Sequence, residues 1–177
     1  TCASRGMSVL YVTSEQFTNE FITAIRHRTT EDFRRRYRGV QVLLVDDVQF
    51  LRGKEQTHEG FFPTFNDLHT AGHQVVNSSD RPPRDLAPME DRLRSRFEWG
   101  LIADIQPPDL ETRMAILANK ANQLRVEMED NVIELIAKRV QRNVRELEGS
   151  LNRMVAYSQL MNVNITLEST LQILNEM

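Results

Sequence analysis

The chain has 177 residues, 40% hydrophobic and 27% charged, with a formal net charge of -3. That is apolar material for one well-buried core and a smaller second one, and it excludes wholesale disorder and indiscriminate nucleic-acid binding over the entire surface. One cysteine, Cys2, excludes an intramolecular disulfide or a cysteine-rich metal site, and no apolar run is long enough to cross a bilayer, so a protein of the reducing cytoplasm is expected.

Ser8-Val9-Leu10-Tyr11-Val12 predicts a short strand, with Thr13 or Ser14 capping the helix that follows. Phe17, Phe21, Ile22 and Ile25 recur at helical spacing and predict its apolar face. A second helix is predicted from Thr30 to Tyr37, with Phe33 and Tyr37 four apart and Gly39 closing it. Six arginines fall between residues 26 and 38 against Glu31 and Asp32: either a solvated face or a local phosphate-contacting patch.

Val42-Leu43-Leu44-Val45 then predicts a central strand buried on both faces, ending in Asp46-Asp47. A parallel strand delivers its tip to the crevice where open α/β sheets bind ligands, and two carboxylates there suit a hard cation that shares its remaining sites with water and phosphate. Gln49 to Lys54 reads as a turn or broken helix, and Thr57 to Ala71 as a helix with Phe61, Phe62, Phe65 and Leu68 inward and Gly72 as its stop. Pro63 falls inside that helix, where it costs about 3 kcal/mol unless the chain adapts. Gln74 to Asn77 predicts a third strand; Asn77 continues an apolar run and, buried without a partner, costs about 1–3 kcal/mol. A short helix from Met89 to Phe97 and a fourth strand from Trp99 to Ile105 complete an alternation that implies α/β architecture with a parallel sheet.

Gln106-Pro107-Pro108 marks a boundary, beyond which only helical periodicity is found. Leu110, Met114, Leu117, Ala121 and Leu124 form one stripe, and Val132, Leu135, Ile136 and Val140 a second. Asn143 with Glu146 fits a capping box ahead of Leu147, Leu151, Met154 and Val155, and Thr166 caps a last segment carrying Leu167, Leu171 and Leu174. Two domains are expected, an α/β part over 1–106 and an all-α part over 107–177.

Three polar clusters follow the apolar strands or the helix after them: Asp46-Asp47, Ser78-Ser79-Asp80, and Arg92, Arg94 and Arg96. Acids on adjacent strand tips can hold a metal and position water near a nucleotide γ-phosphate, and Asp80 can sense that phosphate. Arginine suits a phosphate presented by another chain, and Arg145 can close over a nucleotide from the helical side.

Leu43-Leu44-Val45-Asp46-Asp47-Val48-Gln49-Phe50, Ser78-Ser79-Asp80-Arg81-Pro82-Pro83, Glu90 to Gly100 and Asn143-Val144-Arg145-Glu146-Leu147-Glu148-Gly149 resemble the bacterial DnaA replication initiators, which are AAA+ ATPases. The resemblance implies a parallel sheet flanked by helices with a small helical lid, ATP or ADP with Mg²⁺ as ligands, and head-to-tail helical oligomers on origin DNA. It implies that Asp46 and Asp47 are the Walker B acids, with Mg²⁺ held by Asp46, and that Asp80 is the first sensor. Arg96 becomes the arginine finger acting on a neighbouring protomer, Arg92 an assembly arginine, and Arg145 the second sensor. Residues 15–38 resemble the initiator's helical insertion, and Ile22, Lys54 and Thr57 match positions lining a single-stranded DNA channel. Replicative helicase and acidic phospholipid are further partners the resemblance implies.

The phosphate loop G-x-x-x-x-G-K-[ST] does not occur: Gly53-Lys54 is followed by Glu55 and comes after the wrong strand. By the resemblance that loop precedes Thr1 and a duplex-reading domain follows Met177, so the chain is expected to be a fragment with no ATPase activity by itself. Gln56 stands where some members place a second basic residue. A helicase loader or regulatory AAA+ protein is the alternative, separated from an initiator by the two helices expected over 15–38. A receiver-type domain built on Asp46-Asp47 is a third reading, with no use for a helical lid or for Arg96.

Overall fold

The computed structural model describes residues 6–51, 55–86 and 91–175, with the side chains of 55–58 outside that description. Two compact units divide the chain, Thr1–Ala103 and Asp104–Met177.

The first unit is built on three parallel strands in sequence order: β1 (Val9–Thr13), β2 (Val42–Asp46) and β3 (Gln74–Asn77). Helices α1 (Ser14–His27) and α2 (Thr30–Arg38) join β1 to β2, a 3-10 turn (Val48–Leu51) and α3 (Glu55–Thr70) join β2 to β3, and α4 (Asp91–Glu98) follows. Register pairs Val9 with Val42, Val12 with Val45, Leu43 with Val75 and Val45 with Asn77. Because side chains alternate across a strand, Leu10, Leu43 and Val75 share one face with Val12, Val45 and Asn77. That face meets the core of Phe17, Phe33, Tyr37, Val48, Leu51, Phe61, Leu68, Leu86 and Leu93. Phe17 stands edge-on to Phe33, Tyr37 and Phe61, so the aromatic residues of three helices interlock at one point.

The opposite face carries Val9, Tyr11, Val42, Leu44 and Val76, of which Val42 is buried and Tyr11 is 59% exposed. The central strand is buried on both faces at Val42, Leu43 and Val45, with Leu44 half-buried, whereas Val9, Tyr11 and Val76 on the flanking strands are exposed. The expected fourth strand is absent. Residues 101–109 are irregular, and Leu101 and Ile105 are almost fully exposed: the segment pairs with none of the three described strands.

Local signals explain most helix ends. The Thr13 hydroxyl accepts the Gln16 N–H at the start of α1, and Gly72, at φ +72°, supplies the left-handed turn after α3. Gly39 stops α2 differently: its φ is -82°, and an added Cβ would lie 2.6 Å from the Arg35 carbonyl oxygen. Pro63 lies inside α3 without ending it, and the buried Thr64 hydroxyl donates back to the Gly60 carbonyl at 2.9 Å. On α1 the inward positions go to Phe17, Thr18 and Ala24, whereas Ile25 is half exposed.

The second unit contains α5 (Leu110–Leu124), α6 (Asp130–Arg139), α7 (Val144–Met161) and α8 (Leu167–Asn175). Leu117, Ala121, Val132, Ile136, Leu147, Leu151 and Met154 form its core. Asp109 caps α5 through the Thr112 N–H at 2.8 Å, and Asn143 caps α7 through the Glu146 N–H at 2.7 Å. The Arg113 guanidinium donates to the carbonyls of Ala137 (2.9 Å) and Pro108 (2.7 Å), tying the end of α6 to the entry of α5. The phase of α8 differs from expectation: Thr170 and Ile173 are buried, while Leu167 and Leu171 are about 40% exposed. Leu124, expected in the first stripe, is 40% exposed at the end of α5.

Candidate functional site

The tip of β2 is held from both neighbouring strands. Tyr11 lies on the same face as Asp46, one diagonal step away in the register, and its hydroxyl donates to Asp46 Oδ2 at 2.7 Å. From β3's end the Ser78 hydroxyl donates to Asp46 Oδ1, and the same oxygen accepts the Asp47 N–H at 3.1 Å. One serine thus uses both its donor and its acceptor capacity on consecutive residues of the tip. The hydrogen bond to Asp46, followed by desolvation and the charges of both acids, raises the Tyr11 phenol above its ordinary pKa.

Asp47 has φ +58°, a left-handed conformation that costs a non-glycine residue roughly 1–2 kcal/mol. Its surroundings hold it there. The Asp47 carbonyl accepts the Ser14 hydroxyl (2.6 Å) and the Phe50 N–H (3.1 Å), and the adjoining Val48 N–H donates to the Ser78 carbonyl (3.0 Å). Its carboxylate accepts the Gln49 amide at 2.9 Å. Both acids are therefore fixed at different angles on one strand end, Asp46 by hydroxyls and Asp47 by backbone geometry.

Among the described residues no three His, Cys, Asp or Glu side chains gather into a cage for a cation. The Asp46 carboxylate, braced by one hydroxyl on each oxygen at the strand tip, instead suits a hard ion that keeps most of its waters.

Asp80 follows β3 and pairs with Arg81 through two parallel bonds of 2.8 Å, which hold its carboxyl below the usual carboxylate range. Several arginines elsewhere in the first unit are also matched. Arg34, Arg35, Arg36, Arg38 and Arg94 pair with Glu31, Asp32, Glu20, Asp67 and Asp91. The arginine run of α1 and α2 is thus largely neutralised within its own surface, as in the solvated-face reading.

Arg96 is different. It is half-buried on α4 with no acidic partner among the described residues, and its guanidinium carbon sits 4.8 Å from the centroid of the Trp99 ring. Arg92 lies 4.9 Å over the Phe62 ring. Arg145 is exposed in the first turn of α7, in the second unit. Ile22 is half-buried on α1; the backbone of Thr57 is in α3, with its side chain outside the described residues, and Lys54 lies outside them altogether.

The structure thus brings together Asp46, Asp47 and Ser78. Sequence reasoning missed Tyr11 and Ser14 as supports of the acids, and His69 and Trp99 as neighbours of Arg96. Only the strand register could have revealed Tyr11.

The family model of the bacterial DnaA ATPase domain matches residues 2–104. The chromosomal replication initiator protein DnaA of Chloroflexus aurantiacus is 58% identical over 163 residues, 92% of this chain and 34% of that protein. The chain thus spans about a third of the length of such curated relatives. Domain III of the Thermotoga maritima replication initiation protein DnaA superimposes with a TM-score of 0.92 at 36% identity, covering 98% of this chain and 72% of that one. A replication initiator DnaA bound to AMPPCP and single-stranded DNA gives a TM-score of 0.78 at 37% identity, covering 86% of this chain and 47% of that one. With its parallel sheet, its helical second unit and these relatives, the chain belongs to the bacterial DnaA family of replication initiators.

Proposed function

We propose that this chain is the nucleotide-sensing core of an ATP-controlled initiator of chromosomal replication, acting in the cytoplasm and assembling head-to-tail on origin DNA. The observation that carries the reading is the bracing of Asp46 by Tyr11 and Ser78 beside a conformationally fixed Asp47. Magnesium nucleotide, when bound, supplies the phosphate charge and the scissile bond. Asp46 would hold the ion, Asp47 would orient the attacking water, and Asp80 would respond to the γ-phosphate.

Arg96 acts on the nucleotide of a neighbouring subunit. With no carboxylate partner among the described residues, the Arg96 guanidinium keeps its in-plane donors for a phosphate, and such a contact is worth most when it is made only in the assembled, ATP-loaded state. Arg92 supports the same contact surface, and Arg145 senses nucleotide from the lid, the role proposed for residues 107–177. Residues 15–38 are the helical insertion that steers assembly. Ile22, Lys54 and Thr57 line the path of single-stranded DNA, the ligand named for one structural relative. Replicative helicase and acidic phospholipid are the further proposed partners.

The test is Arg96→Ala in the full-length protein. ATP affinity should change less than about twofold while ATP-dependent oligomers disappear; equal loss of both would overturn the role in trans. The 177 residues by themselves should turn ATP over only at the background rate, and measurable turnover would move the phosphate site.

A further inference from the structure

Arg96, Trp99 and His69 form a chain of contacts that the proposed function does not use. The Arg96 guanidinium lies 4.8 Å from the Trp99 ring centroid, and Trp99 stacks on His69 with centroids 4.9 Å apart and planes 27° from parallel. His69 in turn stacks on Phe65, which belongs to the fringe of the buried core. Trp99 itself is 65% exposed, so its indole contributes little to the core. Its contacts lead instead from α3 to a cation on α4.

The chemistry of the support matters. A carboxylate partner such as Asp91 for Arg94, or Asp80 for Arg81, consumes the in-plane N–H groups of the guanidinium. An aromatic face attracts the cation through its quadrupole and leaves those donors uncommitted. It also restricts a side chain whose rotamer freedom is among the largest of any residue, so less remains to be lost when a phosphate is met.

We infer that Trp99, backed by His69, is the positioning residue of Arg96, holding the guanidinium on an aromatic seat from which it meets an anionic phosphate of another molecule. The seat is a feature of this chain; its use rests on the proposed role of Arg96 in trans.

Two measurements test the two parts separately. Trp99 is the only tryptophan, so the emission of the 177-residue chain reads its surroundings directly. Arg96→Met, which keeps the stem and removes the charge, should shift the emission, and His69→Ala should shift it again; Arg35→Met, on the far-paired surface of α2, should leave it unchanged. Emission indifferent to Arg96→Met would overturn the seat. In the full-length protein, Trp99→Leu should raise the protein concentration needed for ATP-dependent assembly about two- to fivefold, the range expected for an exposed cation–π contact. Trp99→Phe, with a weaker aromatic face, should fall between, and ATP affinity and the thermal midpoint should stay at wild-type values. Loss of assembly in Arg96→Ala with wild-type assembly in Trp99→Leu would overturn the inference alone. Assembly untouched in Arg96→Ala would overturn the role in trans, while the emission result would still decide whether the seat exists.

Discussion

Asn77 gives the sharpest test of the packing. It sits on the core-facing row of the sheet beside Val45, in a position that an alternating strand would fill with an apolar side chain. Its Oδ1 is out of reach of solvent and has no hydrogen-bond partner among the described residues. A buried acceptor left unpaired costs about 1–3 kcal/mol, and the residue as a whole is only half-buried, which favours the lower part of that range. Asn77→Val removes the orphaned oxygen and adds a β-branched side chain suited to the strand. The first unit should therefore gain about 1–2 kcal/mol. Urea unfolding followed by the emission of Trp99 reports that unit alone, because no other tryptophan is present and Trp99 lies within Thr1–Ala103. With a slope of about 2 kcal/mol per molar in urea, the midpoint should rise by roughly 0.5–1 M. A midpoint that stays put or falls at constant slope would show that the amide is satisfied, and the reasoning would fail.

Asp47→Asn should preserve the fold, since asparagine tolerates the left-handed backbone at φ +58°, and should slow ATP hydrolysis in the full-length protein while ATP still binds; an unchanged turnover rate would reject the assignment. Lys54→Ala should weaken single-stranded DNA binding and lower the salt slope by about one, and an unaltered slope would remove Lys54 from the DNA path. Arg113→Ala should destabilise the second unit by about 2–3 kcal/mol by stranding the carbonyls of Ala137 and Pro108, seen as a lower far-ultraviolet melting midpoint with Trp99 emission unaffected. At Asp109 the Thr112 N–H lowers the carboxyl pKa in the folded chain. Its stabilisation is present above the unfolded value of about 3.9 and is lost as pH falls through the lower folded value. Asp109→Asn, which keeps an acceptor at the cap but has no proton to gain, should flatten the acid-unfolding profile of the second unit below about pH 4. An unchanged profile would argue against that cap.

The acid pair was legible because four apolar residues followed by two carboxylates allow few placements other than a strand tip. The serines and Asp80 were legible for the same reason one strand later. Periodicity names the apolar positions of a helix without fixing their phase against a neighbour. So Ile25 and Leu171 were expected inside, and the smaller Ala24 and Thr170 took the places where helices approach closely. The Tyr11 contact depends on a register between residues 35 apart in the chain, which no local pattern carries. Residues 101–105 have the composition of a strand, but composition does not say which ladder a segment joins, and this one pairs with none of the three described strands.

At Gly60 an added Cβ would lie 2.7 Å from three atoms of the Phe21 ring, so backbone and ring are in direct contact where α3 crosses α1. Glycine is thus what lets α3 seat on α1 at this crossing: any larger residue at position 60 would have to displace the Phe21 ring, and with it the edge of the aromatic cluster that joins the first three helices.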